Sequence, residues 1–412
     1  MTYKIKSKEE LEKFLISNLN EIHQKIDAIM ANFEVPFYSS VDIREGKNKF
    51  APIDHNIYPA GFNNICTIDL NASVQILKET IKKYGNSITR LAIHPESHTK
   101  NTLYLENIFG LQKLLISAGF EVKFISFDQA LFASEGKISL LTHSGNQIEI
   151  YQARVSAGKV ILENDSFIVD MVILNHDQSN PLNVDWPSIV TPVVPPYFMG
   201  WYNREKNKHF NYYKKVVEEF SALYSIDPDL MMAKFRTAQN IDFSSKEGLD
   251  HLALSVDDLK KELNDSSKIF VKASKGTYGM GIMVVENGED IININRKERN
   301  KMDIGKNKIK FTSVLIQEGV ETVLKYDDMP AEITMYLIGG KCVGGFMRAN
   351  PEKDANSNLN SKGMIFIKYC MSELQQGQDH KCHECTYSVI ARLATLASCY
   401  EIKEFKEKRM AL

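Results

Sequence analysis

The sequence predicts an α/β protein: an N-terminal α/β region with a mainly parallel sheet, followed by a module of two smaller subdomains around a glycine-rich flap. Three observations carry this. The runs ITRLAIH (88–94), EVKFISF (121–127) and DMVILN (170–175) are short, β-branched or aromatic, and bounded by polar breaks. A helical pattern at 104–118 separates the first two, and strand–helix–strand order favours parallel pairing. Next, KIFVKAS (268–274) and IMVV (282–285) flank a loop carrying Gly276, Gly279 and Gly281, which reads as a flexible hairpin. Finally, EITMYLI (332–338) and KCVGGFMRA (341–349) are separated by Gly339-Gly340, a tight-turn signal between two strands.

The remaining elements follow in chain order. Leu11, Leu15, Leu19, Ile22, Ile26 and Met30 recur at spacings of three and four, which predicts an amphipathic helix over 8–32. A weaker helical pattern spans 68–84. TPVVPPYFMG (191–200) holds three of the twelve prolines and reads as a rigid connection into a helix at about 208–224. VLIQEGV (314–320) is an apolar strand ending in Gln317-Glu318. The Lys-, Arg- and Asn-rich run 293–311 reads as a solvated surface element. A helix at 386–399 closes the chain, and EIKEFKEKRMAL is a charged helical end without visible chemistry. These elements group into 1–205, 206–313 and 314–412.

Composition narrows the function. The 412 residues carry 50 Lys+Arg and 52 Asp+Glu, a net charge of −2, which argues against nucleic acid as the main partner. No apolar run approaches the ~18 residues a membrane span needs, and Met1–Glu10 is charged, with no secretory h-region. The expectation is a cytoplasmic protein with its six cysteines reduced, Cys66 serving as core or pocket lining; a homo-oligomer stays open. Cys382-His383-Glu384-Cys385 lacks a second ligand pair and reads as a surface segment rather than a zinc site.

The chemistry gathers along both halves. Because strand sequence follows the glycine loop, neither phosphate motif that opens a helix applies. What remains is a β-hairpin flap whose amides cover phosphates, with Lys272 on its leading strand to neutralise them. Downstream come Gln317-Glu318 at an inter-subdomain edge, Glu332, Arg348, and Asn358-Leu359-Asn360. Glu332, Asn358 and Asn360 offer the hard oxygen ligands that Mg²⁺ prefers, and Arg348 offers a planar fork for a phosphoryl group. Lys234 and Arg236 are two further basic candidates for ATP. In the first half, Asp54-His55-Asn56 precedes PAGFNN (59–64), a turn rich in amides that includes Asn63 and Asn64. An amino-acid substrate needs an anion for its ammonium, which Asp54 supplies, and a cation for its α-carboxylate, for which Arg44, Arg204 and Lys206 stand open. Glu96 and His98, after the first strand, and Asn175, after the third, sit where ligands of open α/β sheets gather. Thr99 is the expected cap of the helix that follows. Trp201, Tyr202, Arg204 and His209 read equally as hinge or pocket wall.

In this order, the lysine strand, glycine flap, Gln-Glu strand, acidic strand and Arg strand resemble the ATP-grasp ligases, with bacterial glutathione synthetase as the nearest comparison over roughly 225–370. The usual closing Glu-x-Asn is absent from its later position. Longer segments are similar to the proteobacterial-type glutamate–cysteine ligases: FAPIDHNIYPAGFNN (50–64), HPESHTKNTLYLEN (94–107), LNHDQSN (174–180), PPYFMGWYNREKNKHF (195–210), VKASKGTYGMGIM (271–283), VLIQEGV and GGFMRAN…SNLNSKGMIF (344–366). The resemblance implies an ATP-grasp-like two-subdomain module, ATP and Mg²⁺. It also implies ligation of L-cysteine to the γ-carboxylate of L-glutamate through an acyl phosphate, the first step of glutathione biosynthesis. The residues it points to are Lys272 and Arg348 for catalysis, and Lys272, Gly276, Tyr278, Gly279, Met280, Gly281, Gln317 and Glu318 for the nucleotide. Glu332, Asn358 and Asn360 would serve the metal, and Arg44, Asp54, Asn56, Asn63, Asn64, Glu96, His98, Asn175 and Arg204 the substrates. Other readings are a ligase for another acceptor and a catalytically silent nucleotide-binding protein.

Overall fold

The opening apolar stripe forms two helices rather than one, α1 (Lys8–Ser17) and α2 (Leu19–Met30). At the break, Asn18 leaves helical geometry (φ −115°, ψ 15°) and its side chain bonds the Phe14 carbonyl, the competition with the backbone that makes Asn a poor interior helix residue. This is a computed structural model, and it describes residues 3–96, 100–132, 136–163, 166–263, 267–275, 281–303, 312–371 and 383–410.

Two strands follow, β1 (Tyr38–Glu45) and β2 (Phe50–Asn56), then α3 (Thr67–Lys82). The predicted strand–helix–strand unit is β3 (Arg90–Pro95), α4 (Thr102–Ser117) and β4 (Glu121–Ser126). The N-cap of α4 is Asn101, whose side chain accepts from the Tyr104 amide, rather than Thr99, which lies outside the described residues. After β5 (Lys137–Leu141), β6 (Gln147–Ser156) and β7 (Lys159–Leu162) come β8 (Met171–Asn175) and β9 (Val193–Val194). They form one sheet in the order β5-β6-β4-β3-β8-β9, with β7 on β6. The β6–β4, β4–β3, β3–β8 and β8–β9 pairs are parallel, while β5 and β7 are antiparallel additions. Strand order reverses between β3 and β8, so Glu96 and His176-Asp177 stand at the sheet's switch point.

The helix α5 (Lys206–Tyr224) leads to β10 (Phe235–Gln239) and α6 (Lys246–Lys260). The predicted flap strands are β11 (Ile269–Ala273) and β12 (Ile282–Val285), antiparallel with Lys272 opposite Ile282. The flap tip 276–280, with Gly276, Tyr278, Gly279 and Met280, lies outside the described residues. The short helix α7 (Gly288–Ile292) precedes the basic run, which begins with α8 (Arg296–Asp303). With β13 (Ser313–Glu318), the strands form a small sheet in the order β10-β13-β11-β12.

The third sheet joins distant parts of the chain. After β14 (Lys325–Tyr326), β15 (Met329–Ile338) and β16 (Lys341–Ala349) form the expected hairpin, with Gly339 and Gly340 at φ 56° and 80°. Both values lie in the left-handed region that a two-residue turn of this kind demands. With β17 (Ile365–Lys368) the order is β17-β16-β15-β1-β2, so β1 pairs antiparallel with β15, Tyr38 opposite Ile338 and Ile43 opposite Ile333, across most of the chain. The closing helix, α9 (His383–Met410), packs beneath this sheet: Val41, Ile43, Ile333 and Met335 on the sheet meet Ile390, Leu393 and Ala394 in one core. Truncating Leu393 to Ala there costs about 2–5 kcal/mol.

Two expectations about the cysteines and the C-terminus are corrected. Cys66 does not stay reduced: at the N-terminus of α3 it forms a disulfide with Cys370, Cα–Cα 5.3 Å. The C-terminal run is not merely a charged end, because Glu401 is buried at the centre of an ion-pair cluster described below. Among the described residues, no helix is long and apolar enough to cross a membrane.

Candidate active site

Alternation along the strands places charge on one face of the third sheet and apolar side chains on the other. Asp42 and Arg44 are two apart on β1 and share a face, as do Glu332 and Thr334 on β15, while Val41, Ile43, Ile333 and Met335 point into the core. The registers align this polar face: Asp42 stands opposite Thr334 and Asp54, and Glu332 opposite Arg348. The small sheet faces it across a cleft of about 460 Å³. Lys272, Gln317 and Glu318 line the cleft from the small-sheet side; Asp42, Arg44, Asp54, Glu332 and Arg348 line it from the other, with Asn358 and Asn360 at one end.

The charges interlock. Arg348 donates to Glu332 Oε1 at 2.7 Å and to Asp42 Oδ2 at 3.0 Å. Arg44 donates to Glu332 Oε2 at 2.9 Å and to the carbonyls of Val320, Ala355 and Ser357. Burial alone would raise the Glu332 pKa, but the two arginines outweigh it and lower the value. Asp42 moves the other way: burial, with Glu332 and Asp54 nearby, raises its pKa despite Arg348. Lys272 donates to Gln317 Oε1 at 2.8 Å and to the Ile53 carbonyl at 2.7 Å. Burial pushes its pKa from 10.5 down to about 8, partly opposed by Asp54. Asp54 is itself ion-paired to Lys206 at 2.5 Å. Burial would raise its pKa, yet Lys206 and Lys272 hold it at about 2.

Two buried donors on the cleft wall, Gln317 Nε2 and Arg348 Nε, have no acceptor among the described residues. A buried unmet donor costs about 1–3 kcal/mol, so the cleft is built for an acceptor-rich ligand. Asp42, Asp54, Glu332, Asn358 and Asn360 line the same cleft, whereas among the described residues the acid-and-histidine group whose ligand atoms all lie within 4.8 Å of one another is Glu96, His176 and Asp177. Three carboxylates facing one cleft repel, and a hard divalent cation relieves that repulsion, so the donor set fits Mg²⁺.

The other predicted residues are placed differently. Glu318 is taken by Lys49 at 2.9 Å and by the Lys234 amide at 2.8 Å. Asn56 bonds Tyr58 in a turn, and Asn63 bonds Asn64. Asn175 joins Tyr38, Pro59, Tyr104 and Asn107 in a buried network that also holds the amides of Gly61 and Phe62. That network fixes the PAGFNN turn against the parallel sheet. Glu96 accepts from the Asp177 amide and lies 3.7 Å from His176 Nε2. His176 Nδ1 accepts the Gln178 amide, which places the proton of the neutral ring on Nε2, facing Glu96. His98 lies outside the described residues. Arg204 is fully buried, bonded twice to Glu401 and to the carbonyl and Nδ1 of His55, so the Trp201–His209 segment is a packed hinge.

Sequence reasoning missed Asp42 and Glu401. For Asp42 a signal exists: Asp-x-Arg on a strand places both side chains on one face. For Glu401 none does, since one acid in a charged helical end looks solvated.

No curated protein matches the chain. A crystal structure of a protein assigned as a gamma-glutamylcysteine synthetase, from Methylobacillus flagellatus KT, superposes with a TM-score of 0.85 at 33% identity, covering 96% of each chain. The sequence matches the family GshA, glutamate-cysteine ligase, over residues 12–402. The chain therefore belongs to the GshA glutamate–cysteine ligase family.

Proposed function

We propose that the cleft between the small sheet and the β17–β2 sheet is where this ligase activates glutamate with ATP. The chain is an ATP-dependent glutamate–cysteine ligase that forms γ-glutamylcysteine. The two sheets act as the lobes of an ATP-grasp-like module, one built from β10–β13 and the other from β14–β17 with β1 and β2. The observation that carries this reading is the convergence of Lys272, Arg348 and the unmet donor of Gln317 on one cleft lined by carboxylates.

Lys272 neutralises phosphate oxygens and Gln317 offers its amide N–H to the nucleotide. Asp42, Asp54, Glu332, Asn358 and Asn360 would hold Mg²⁺, which would supply charge neutralisation for the phosphates. The γ-carboxylate of L-glutamate takes the terminal phosphoryl group, giving an acyl phosphate and ADP. The amine of L-cysteine then displaces phosphate to form the amide. Arg348 steadies the charge on the acyl phosphate with its planar fork. The PAGFNN turn and the switch point at Glu96 and Asn175 shape the side from which the amino acids enter.

The test is ADP release from ATP and Mg²⁺ with glutamate plus each of a panel of acceptor amino acids. Release that requires both glutamate and cysteine is expected. A folded, ATP-binding protein that stays silent with every pair would sink the reading.

A further inference from the structure

We infer that Lys206 binds the α-carboxylate of L-glutamate, and that its ion pair with Asp54 is a resting contact exchanged when Mg²⁺ and nucleotide enter. This rests on the ligase reading above.

An α-carboxylate needs a cation with spare donors beside the cleft. Arg44 is spent on Glu332 and three carbonyls, and Arg204 on Glu401 and His55. Lys206 has three donors, and the described residues take one of them, through Asp54 Oδ1 at 2.5 Å. Its ammonium lies 4.6 Å from the centre of the Trp201 ring, an apolar face that holds it without consuming a donor. Asp54 lines the cleft and its side chain is 40% exposed, against 7% for that of Lys206, so the pair sits at the rim with the carboxylate outermost. The γ-carboxylate must reach the phosphoryl group near Lys272 and Arg348, which leaves the α-carboxylate for the rim.

The exchange follows from charge. Asp54 faces Asp42 across β1 and β2, and a divalent cation between them competes with Lys206 for its oxygens. Once Asp54 turns to the cation, Lys206 is a desolvated ammonium with all its donors available. Its backbone amide also donates to the Ser274 carbonyl at 2.8 Å, and Lys275 Nζ to the Tyr202 carbonyl at 3.0 Å, so the flap root is tied to the same segment. Glutamate binding is therefore coupled to nucleotide binding and flap position.

The experiment is calorimetric titration of the full chain with L-glutamate and with 4-aminobutanoate, which lacks the α-carboxylate. It is run with and without Mg²⁺ and a non-hydrolysable ATP analogue, on wild type, Lys206→Gln and Lys206→Arg. Loaded wild type is expected to prefer glutamate by at least ~10-fold and to bind it at least ~10-fold more weakly when unloaded. Lys206→Gln should bind the nucleotide normally and lose the preference, and Lys206→Arg should recover most of it. A retained preference in Lys206→Gln overturns the assignment. So does equal glutamate affinity of wild type with and without Mg²⁺-nucleotide, a comparison that needs no variant to fold. Loaded wild type that binds neither compound overturns the ligase reading itself.

Discussion

Asp42 and Asp54 stand directly opposite each other on neighbouring antiparallel strands, and each is held by a cation from elsewhere in the chain, Arg348 and Lys206. Like charges in facing positions destabilise a sheet unless something neutralises them. The two ion pairs do this in the resting protein, and the proposed Mg²⁺ would do it in the loaded one. Asp42→Asn should raise the Mg²⁺ concentration for half-maximal activity by at least ~10-fold, the scale on which metal-site changes act, while the melting curve stays cooperative. An unchanged Mg²⁺ requirement would remove Asp42 from the metal set.

Lys272→Ala should lower ATP-dependent turnover by about 100-fold or more, the scale of losing one charged transition-state contact. The fold should persist, because the substitution empties one buried corner of the small sheet rather than breaking its strands. Circular dichroism checks the fold and ADP release the chemistry. Wild-type turnover in a folded variant would end the phosphate assignment.

The pH dependence of nucleotide binding follows from the same lysine. With a folded pKa of about 8 against 10.5 for the free side chain, the ammonium is lost above pH 8, and ATP affinity should weaken by up to about tenfold per pH unit, the limit for one required proton. Stability has the opposite sign. Between pH 8 and 10.5 the unfolded chain holds the extra proton, so this group's contribution rises with pH across that window. Below pH 8 the full cost of burying the charge remains. Binding titrations and thermal melts at pH 7, 8.5 and 9.5 separate the two, and Lys272→Arg should flatten the binding profile because a guanidinium does not titrate there.

Arg348→Ala leaves Asp42 without its cation and Glu332 with Arg44 alone, in a region both carboxylates share. Removing one partner of a buried pair costs about 3–5 kcal/mol, so the midpoint of urea unfolding should fall clearly. Turnover should fall further than nucleotide affinity. A variant that keeps both stability and turnover would rule out this role for Arg348.

The disulfide between Cys66 and Cys370 ties the N-terminus of α3 to the end of β17, with the Met371 amide bonded to Asp69 alongside. Cys66→Ser should lower stability by about 2–4 kcal/mol under oxidising conditions. Cys385 is disulfide-bonded as well, so added dithiothreitol should destabilise both proteins, and wild type by more than the variant. Wild type and variant that melt alike before reduction would show that the bridge is not formed in solution.

Much of this molecule is legible in local sequence. The β3–α4–β4 unit, the β11–β12 flap strands and the Gly339-Gly340 hairpin each depend on residues within a few positions of one another. Alternation, helical spacing and turn chemistry act at that range. Lys272, Arg348, Glu332 and Gln317 were legible as site residues because their order along the chain resembles a known plan. The single helix expected over 8–32 failed for a local reason too: Asn18 bonds its own backbone and divides the stripe.

Tertiary structure decided the rest. Nothing within β1 or β2 says that they pair with β15 rather than with the parallel sheet they precede; that depends on burying Val41 and Ile43 against α9. The pairing brings Asp42 and Asp54 to the cleft and so completes its carboxylate set. The same holds for Arg44 and Arg204, whose side chains read as substrate cations until the fold spends them on Glu332 and Glu401, and for Glu401, an ordinary surface acid by sequence. Which charges are consumed and which stay available is set by neighbours hundreds of residues away, and a strand or helix pattern carries no information about those neighbours.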